Sequence, residues 1–209
     1  MADLENLLNL TPAQAEDRLA VAMSELGEPS YRVGQVLRRL WVRPVASFEE
    51  MTELSAPLRV ALAQRFSIPR LALITQQRST DGTRKFLFQL ADGEAIETVA
   101  IPDGNRMTLC ISSQAGCALK CAFCATGAMG FSRNLEPFEI AGQAREMRLL
   151  DEPVELTNIV FMGMGEPLMN WKAVSPALTL LNDPRGLGIG ARHITISTVG
   201  VLPGIVALG

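Results

Sequence analysis

Apolar positions change their period along this chain, and each change marks a new kind of element. Thr11-Pro12-Ala13-Gln14 supplies a capping hydroxyl, a proline at the first helical position and a glutamine three residues on. Leu19, Met23 and Leu26 follow at helical spacing, and Gly27 closes the segment. Val33, Val36, Leu37, Leu40 and Trp41 repeat at three and four, which predicts a second helix. Ser47 with Glu50, and Ser55 with Pro57, open two shorter helices, the last running through Leu58 and Leu62. Residues 1–70 therefore read as a small helical module.

From Leu71 the period shifts toward two. LALITQQRST, TRKFLFQL and EAIETVAI are separated by Asp81-Gly82 and Asp92-Gly93, dipeptides preferred in tight hairpin turns. Residues 71–103 thus predict a three-stranded antiparallel meander. After Pro102-Asp103-Gly104 strand and helix alternate: strands over 107–112, 158–162 and 193–197, helices over 137–150 and 171–181. Alternation of this kind predicts a parallel sheet and an α/β class for residues 104–209. Three parallel strands and two helices cannot close a barrel or cover both faces of a sheet, so an exposed apolar edge is expected. No internal repeat is present.

Composition narrows the partners. The 209 residues are 48% hydrophobic, enough for a real core, and 19 Lys and Arg against 22 Asp and Glu give a net charge of −3. Any RNA surface must then be a local basic patch. Arg32, Arg38, Arg39 and Arg43 on the second helix offer one, although a solvated helix face is the commoner use of such residues. The acidic start MADLENLLNL lacks the basic region of a signal peptide, and no apolar run reaches spanning length, so a soluble, cytoplasmic protein is expected.

Cysteine usage points to chemistry. Cys117, Cys121 and Cys124 crowd into one short loop leaving the first parallel strand, with Cys110 just upstream. This suits metal ligation or thiol chemistry in a reducing compartment better than structural disulfides. Three thiolates on a four-iron cubane leave one iron free for an outside ligand. Zinc is the alternative, with Cys110 recruited as fourth ligand, but zinc motifs normally pair two short-spaced cysteines with a distant second pair. Three inert buried cysteines would not explain their crowding with Gly116 and Gly127. Gly163-Met164-Gly165-Glu166-Pro167 follows the second parallel strand, at the carboxyl end where such sheets bind ligands. Glycines there let backbone approach a ligand, and Glu166 can accept from a bound ammonium.

The spacing CxxxCxxC, with Phe123 before the last cysteine, resembles the signature of the radical S-adenosylmethionine (SAM) superfamily. Leu109-Cys110-Ile111-Ser112-Ser113-Gln114, Gly130-Phe131-Ser132-Arg133-Asn134-Leu135, the GMGEP segment and Thr195-Ile196-Ser197-Thr198 narrow the resemblance to the RlmN/Cfr family of adenine methyltransferases, along the whole chain. The resemblance implies a partial radical SAM (βα) barrel, with Cys117, Cys121 and Cys124 on a [4Fe-4S] cluster and Gly165, Glu166 and Ser197 on SAM. It implies Glu97 as a proton acceptor. It also implies that Cys110 forms a transient disulfide with a cysteine near the family's C-terminus; on residues alone Cys110 reads as a small buried hydrophobe and Glu97 as a solvent-facing carboxylate. His193 has no motif partner and reads as structural.

In the family one SAM methylates that C-terminal cysteine and another yields the radical that activates the methyl group for addition to adenine C2. The implied partners are 23S rRNA, tRNA next to the anticodon, and a reductant protein such as flavodoxin; the protein is expected to be a monomer. Cfr-type C8 chemistry and a non-catalytic cluster- or zinc-binding RNA module are the alternatives. All four cysteines lie at or before Cys124, so the methyl-carrying cysteine has no counterpart here. The expectation is the N-terminal part of a longer enzyme, binding its cluster poorly and inactive alone.

Overall fold

The computed structural model describes residues 4–119 and 121–208. The helical module holds α1 (Pro12–Glu25), α2 (Tyr31–Leu40) and α3 (Ala56–Ala63). Thr11 and Gln14 form the reciprocal capping box at the start of α1, and Ser55 caps α3. Two-residue strands β1 (Glu5–Asn6) and β2 (Phe66–Ser67) pair in parallel and tie the module's ends together. Leu19, Met23, Val36, Leu40, Met51 and Leu62 bury its interior.

A six-stranded sheet follows, with β3 (Ala72–Arg78), β4 (Arg84–Gln89), β5 (Ala95–Asp103), β6 (Arg106–Cys110), β9 (Asn158–Phe161) and β10 (Ile194–Ile196) in the order β10-β9-β6-β5-β4-β3. The antiparallel run has one strand more than the sequence predicts. β6, the first of the parallel strands, also pairs antiparallel with β5, so the meander and the α/β part share one continuous sheet. Pro102 broke the alternation that would have announced this hairpin; it sits at the strand end opposite Met107, where a missing donor costs little.

Helices α5 (Pro137–Met147) and α6 (Trp171–Asn182) are the crossovers between the parallel strands. Phe86, Phe88, Ile96, Leu109, Ile159 and Phe161 from the sheet are fully buried in the same core as Ile140, Ala144, Val174 and Leu181. The other face carries Glu97, Val99, Cys110 and Val160, which register and alternation put on one side. The short helix α7 (Leu202–Leu208) follows β10. A groove of about 660 Å³ of mixed character, lined by Leu178, Ile194, Ile196 and Leu208 together with Thr179, Asn182 and Asp183, lies beside that edge strand. Among the described residues no helix is long and apolar enough to cross a membrane.

One small element escaped the sequence reading. β7 (Gln114–Gly116) and β8 (Phe131–Asn134) pair antiparallel across the cysteine segment, and α4 (Ala125–Met129) lies between them. The cysteines therefore sit in a closed hairpin loop, not an open connection.

Candidate functional site

The site is assembled at the carboxyl ends of β6, β9 and β10, and its frame is one serine. The Ser112 hydroxyl donates to Glu97 O at 2.7 Å and accepts from Met164 N at 2.9 Å. The Ser112 backbone is held on both sides by the Gln143 amide of α5, which accepts from Ser112 N and donates to Ser112 O, each at 2.8 Å. Thr98 Oγ1 donates to the same Gln143 oxygen at 2.7 Å. All three side chains are buried, so the strand exits and the loop after β9 share one fixed reference point.

The cysteine loop is shaped by backbone. Cys117 N donates to Gly130 O at 2.8 Å, closing the hairpin below the first thiol. Gly116 has φ +73°, and a Cβ there would stand 2.0 Å from Gly130 O, so only glycine lets the two strands meet. Cys124 immediately precedes α4, and Cys124 N donates to Cys121 O at 3.0 Å. The N–H of Gly127, in the first turn of α4, holds the Cys124 thiol below the ordinary thiol range, with help from Thr126. That favours the thiolate a metal requires.

The second loop closes against the first. Gly165 has φ +95° and approaches Gln114 so nearly that a Cβ would lie 2.5 Å from the Gln114 side chain. Gln114 Oε1 accepts from Glu166 N at 2.9 Å, while its Nε2 donates to Asn134 Oδ1 at 2.8 Å. The buried Glu166 carboxylate accepts from Leu168 N at 3.0 Å through one oxygen and from Val199 N at 2.9 Å through the other. Glu166 therefore braces the loops after β9 and β10. A carboxylate has about four lone-pair positions, so each oxygen keeps one for a ligand ammonium.

Cys117, Cys121, Cys124, Gly165, Glu166 and Ser197 line a single cavity of about 370 Å³, together with Phe123 and Met162. The larger groove beside β10 is lined by no cysteine, and the three motif cysteines line the smaller space. Cys110 and Glu97 are not in its lining. Cys110 is half-buried in β6, where desolvation pushes its thiol up. Glu97 is half-exposed on the open face and pairs with Lys85 at 2.9 Å. His193 is exposed, with Nδ1 3.3 Å from the Asn158 amide.

Three thiols around one cavity, one of them held toward its thiolate, form a soft donor set for iron or zinc. Among the described residues no three His, Cys, Asp or Glu side chains are gathered as for a single ion. The fit to a cluster rests on donor chemistry: three soft thiols line one cavity, the set that leaves one iron of a four-iron cluster open.

Sequence reasoning passed over Gln114, Gln143 and Asn170. Asn170 donates to Ser113 O and Leu135 O, both at 2.8 Å, and pins the loop after β9 to the cysteine hairpin. Their one signal is chemical: polar side chains within apolar or glycine-rich blocks. The basic patch on α2 is also smaller than its sequence suggests. Arg32 is spent on Gln35 and Glu53 O, and Arg39 on Glu50 O and Glu53.

Residues 111–208 match the radical SAM superfamily, and residues 5–68 match the ribosomal RNA large subunit methyltransferase N-terminal domain. A probable dual-specificity RNA methyltransferase RlmN of Gemmatimonas aurantiaca is 68% identical over 208 residues, covering 100% of this chain and 58% of that protein. The RlmN of Alkalilimnicola ehrlichii is 48% identical over 94% of this chain and 54% of its own length. The crystal structure of a radical SAM methyltransferase from Sphaerobacter thermophilus superposes with a TM-score of 0.85 at 39% identity, over 98% of this chain and 60% of that one. The chain thus spans a little over half the length of the curated relatives it matches.

Proposed function

Since the chain belongs to the RlmN family of radical SAM RNA methyltransferases, we propose that it provides the cluster and SAM site of an enzyme methylating adenine C2. Its substrates in this reading are 23S rRNA and the tRNA adenosine next to the anticodon. The observation that carries the reading is the convergence of Cys117, Cys121, Cys124, Gly165, Glu166 and Ser197 on one cavity.

In this reading Cys117, Cys121 and Cys124 would hold a [4Fe-4S] cluster, which would supply single-electron chemistry for SAM cleavage. Gly163 and Gly165 let the loop after β9 press against Ile111, Ser112 and Gln114, which fixes where Glu166 stands in the cavity. Glu166, already fixed by Leu168 N and Val199 N, turns its remaining lone pairs to the SAM ammonium, and Ser197 offers a hydroxyl beside it. Glu97 faces the open side of the sheet, where an unstacked adenosine would lie, and accepts the proton lost from C2. Cys110 shares that face and resolves the covalent protein–RNA intermediate. The four cysteines all lie at or before Cys124, so the cysteine that carries the methyl group is not among these residues, and this chain does not complete turnover alone. The enzyme works in the cytoplasm as a monomer and draws electrons from a flavodoxin-like protein.

The test pairs anaerobic reconstitution with mass spectrometry of adenosines from 23S rRNA and tRNA fragments. The 209-residue chain is expected to bind iron and sulfide only weakly and to leave RNA unmethylated, whereas a longer polypeptide carrying the downstream cysteine yields 2-methyladenosine. Turnover by the 209 residues, or 8-methyladenosine as product, would overturn the corresponding part of this reading.

A further inference from the structure

The cysteine loop closes through β8, which pairs with β7 in a two-stranded sheet separate from the main one. That strand, β8, carries Arg133, whose guanidinium is shared among three elements. Its Nη1 and Nη2 donate to both oxygens of Glu139 in the first turn of α5, at 2.7 and 2.8 Å. Its Nε donates to Asp92 in the turn between β4 and β5. Neighbouring Ser132 donates to Glu94 of the same turn at 2.7 Å. Glu139 is buried and also accepts from Glu136 N at 2.8 Å, so it is itself held in place. Arg133 Nη1 further donates to Asn134 O at 3.1 Å. Asn134 pairs with Gln114 across the hairpin, and Gln114 grips Glu166 N. An unbroken polar chain thus runs from the β4–β5 turn through β8 and β7 to the loop after β9.

We propose that Arg133 is the positioning residue of the cluster site: clamped by Asp92 and Glu139, it fixes β8 and, through Asn134 and Gln114, sets the cysteine loop against the Glu166 loop. This rests on the cluster reading above. Two carboxylates on one planar fork give directional restraint that a lysine cannot reproduce. Groups that orient metal ligands without touching the metal typically change metal retention by about 10- to 100-fold when removed.

The experiment compares the native chain with R133Q, R133K, D92N and, as a surface control, R185Q, the Arg185 side chain being exposed and paired with Asp183 and Glu16. After anaerobic loading, iron release to a chelator should be about tenfold or more faster in R133Q, intermediate in R133K and D92N, and unchanged in R185Q. The electron paramagnetic resonance change produced by SAM should weaken in R133Q. Amide hydrogen exchange of the metal-free chain supplies a readout that needs no cluster: R133Q should speed exchange across residues 114–134 and leave α1 unaffected. Native rates of release and exchange in R133Q would overturn the proposal, as would global unfolding of R133Q accompanied by native behaviour in D92N. Failure of the native chain to take up iron counts against the cluster reading alone, and the exchange data then decide the role of Arg133.

Discussion

The junction between the helical module and α5 and the loop that carries the cysteines are built in opposite ways. At the junction Arg145 of α5 is fully buried, donating to Leu40 O at 2.7 Å and Val45 O at 2.6 Å beyond the end of α2. Arg148 adds Trp41 O and Leu187 O, and Arg70 clasps Glu146 through two nitrogens. Two of the Arg145 nitrogens satisfy the carbonyls of Leu40 and Val45, while its Nη1 has no hydrogen-bond partner and lies 3.7 Å from Glu146, and burial lowers Arg145 to about 10. The cysteine loop instead is glycine-shaped backbone, with Cys117 buried, Cys121 and Cys124 half-buried, and Phe123 93% exposed at its tip. A region of so few buried contacts draws its order from its anchors and its ligand, whereas the junction supplies its own.

That contrast predicts separable losses. The largest concerns the ligand: C117S, C121S or C124S should each abolish stable cluster binding while leaving the thermal midpoint of the metal-free chain within a few degrees of native. Iron analysis and circular dichroism check both halves, and a large fall in stability would dissolve the distinction between loop and frame.

The next effect reverses the pattern. R145A strands the buried carbonyls of Leu40 and Val45, and leaving a buried acceptor unpaired costs about 1–3 kcal/mol each. Urea unfolding should report a drop of that order. The measurement is sharper beside R148K, for which a smaller loss is expected because Arg148 is only half-buried.

The smallest effect lies in the thiols. Burial raises Cys110 above the ordinary 9.0, while Cys124 lies below it. In the metal-free chain at neutral pH, alkylation should reach Cys124 well before Cys110. The sign for stability follows: an unfolded chain sheds the Cys110 proton first, so the fold loses stability as pH rises past the unfolded thiol's value. Equal alkylation rates at the two cysteines would contradict the difference in environment.

Much of this was legible in the sequence, and the reasons are local. Thr11 with Gln14 announced α1 because a capping box is a short-range device, and Asp81-Gly82 and Asp92-Gly93 announced their hairpins because those turns require a positive φ, found at +86° and +91°. The six cavity residues were legible through motifs. The β7–β8 pair was not, since strands of three and four residues are too short to show alternation. Nor were Gln114, Gln143 and Asn170, whose roles depend on partners far along the chain, such as Glu166 for Gln114 and Thr98 for Gln143. The expected edge is there: Ile194 and Ile196 of β10 line an open groove, a consequence of counting strands rather than reading residues.

The most direct test of the three-thiolate site is anaerobic reconstitution of the 209-residue chain with iron and sulfide, followed by metal analysis and electron paramagnetic resonance with and without SAM. The cluster reading predicts iron and sulfide in equal amounts, lost in C121S, and a reduced-state spectrum that shifts when SAM is added. Stoichiometric zinc that survives C121S, or an iron signal indifferent to SAM, would contradict it.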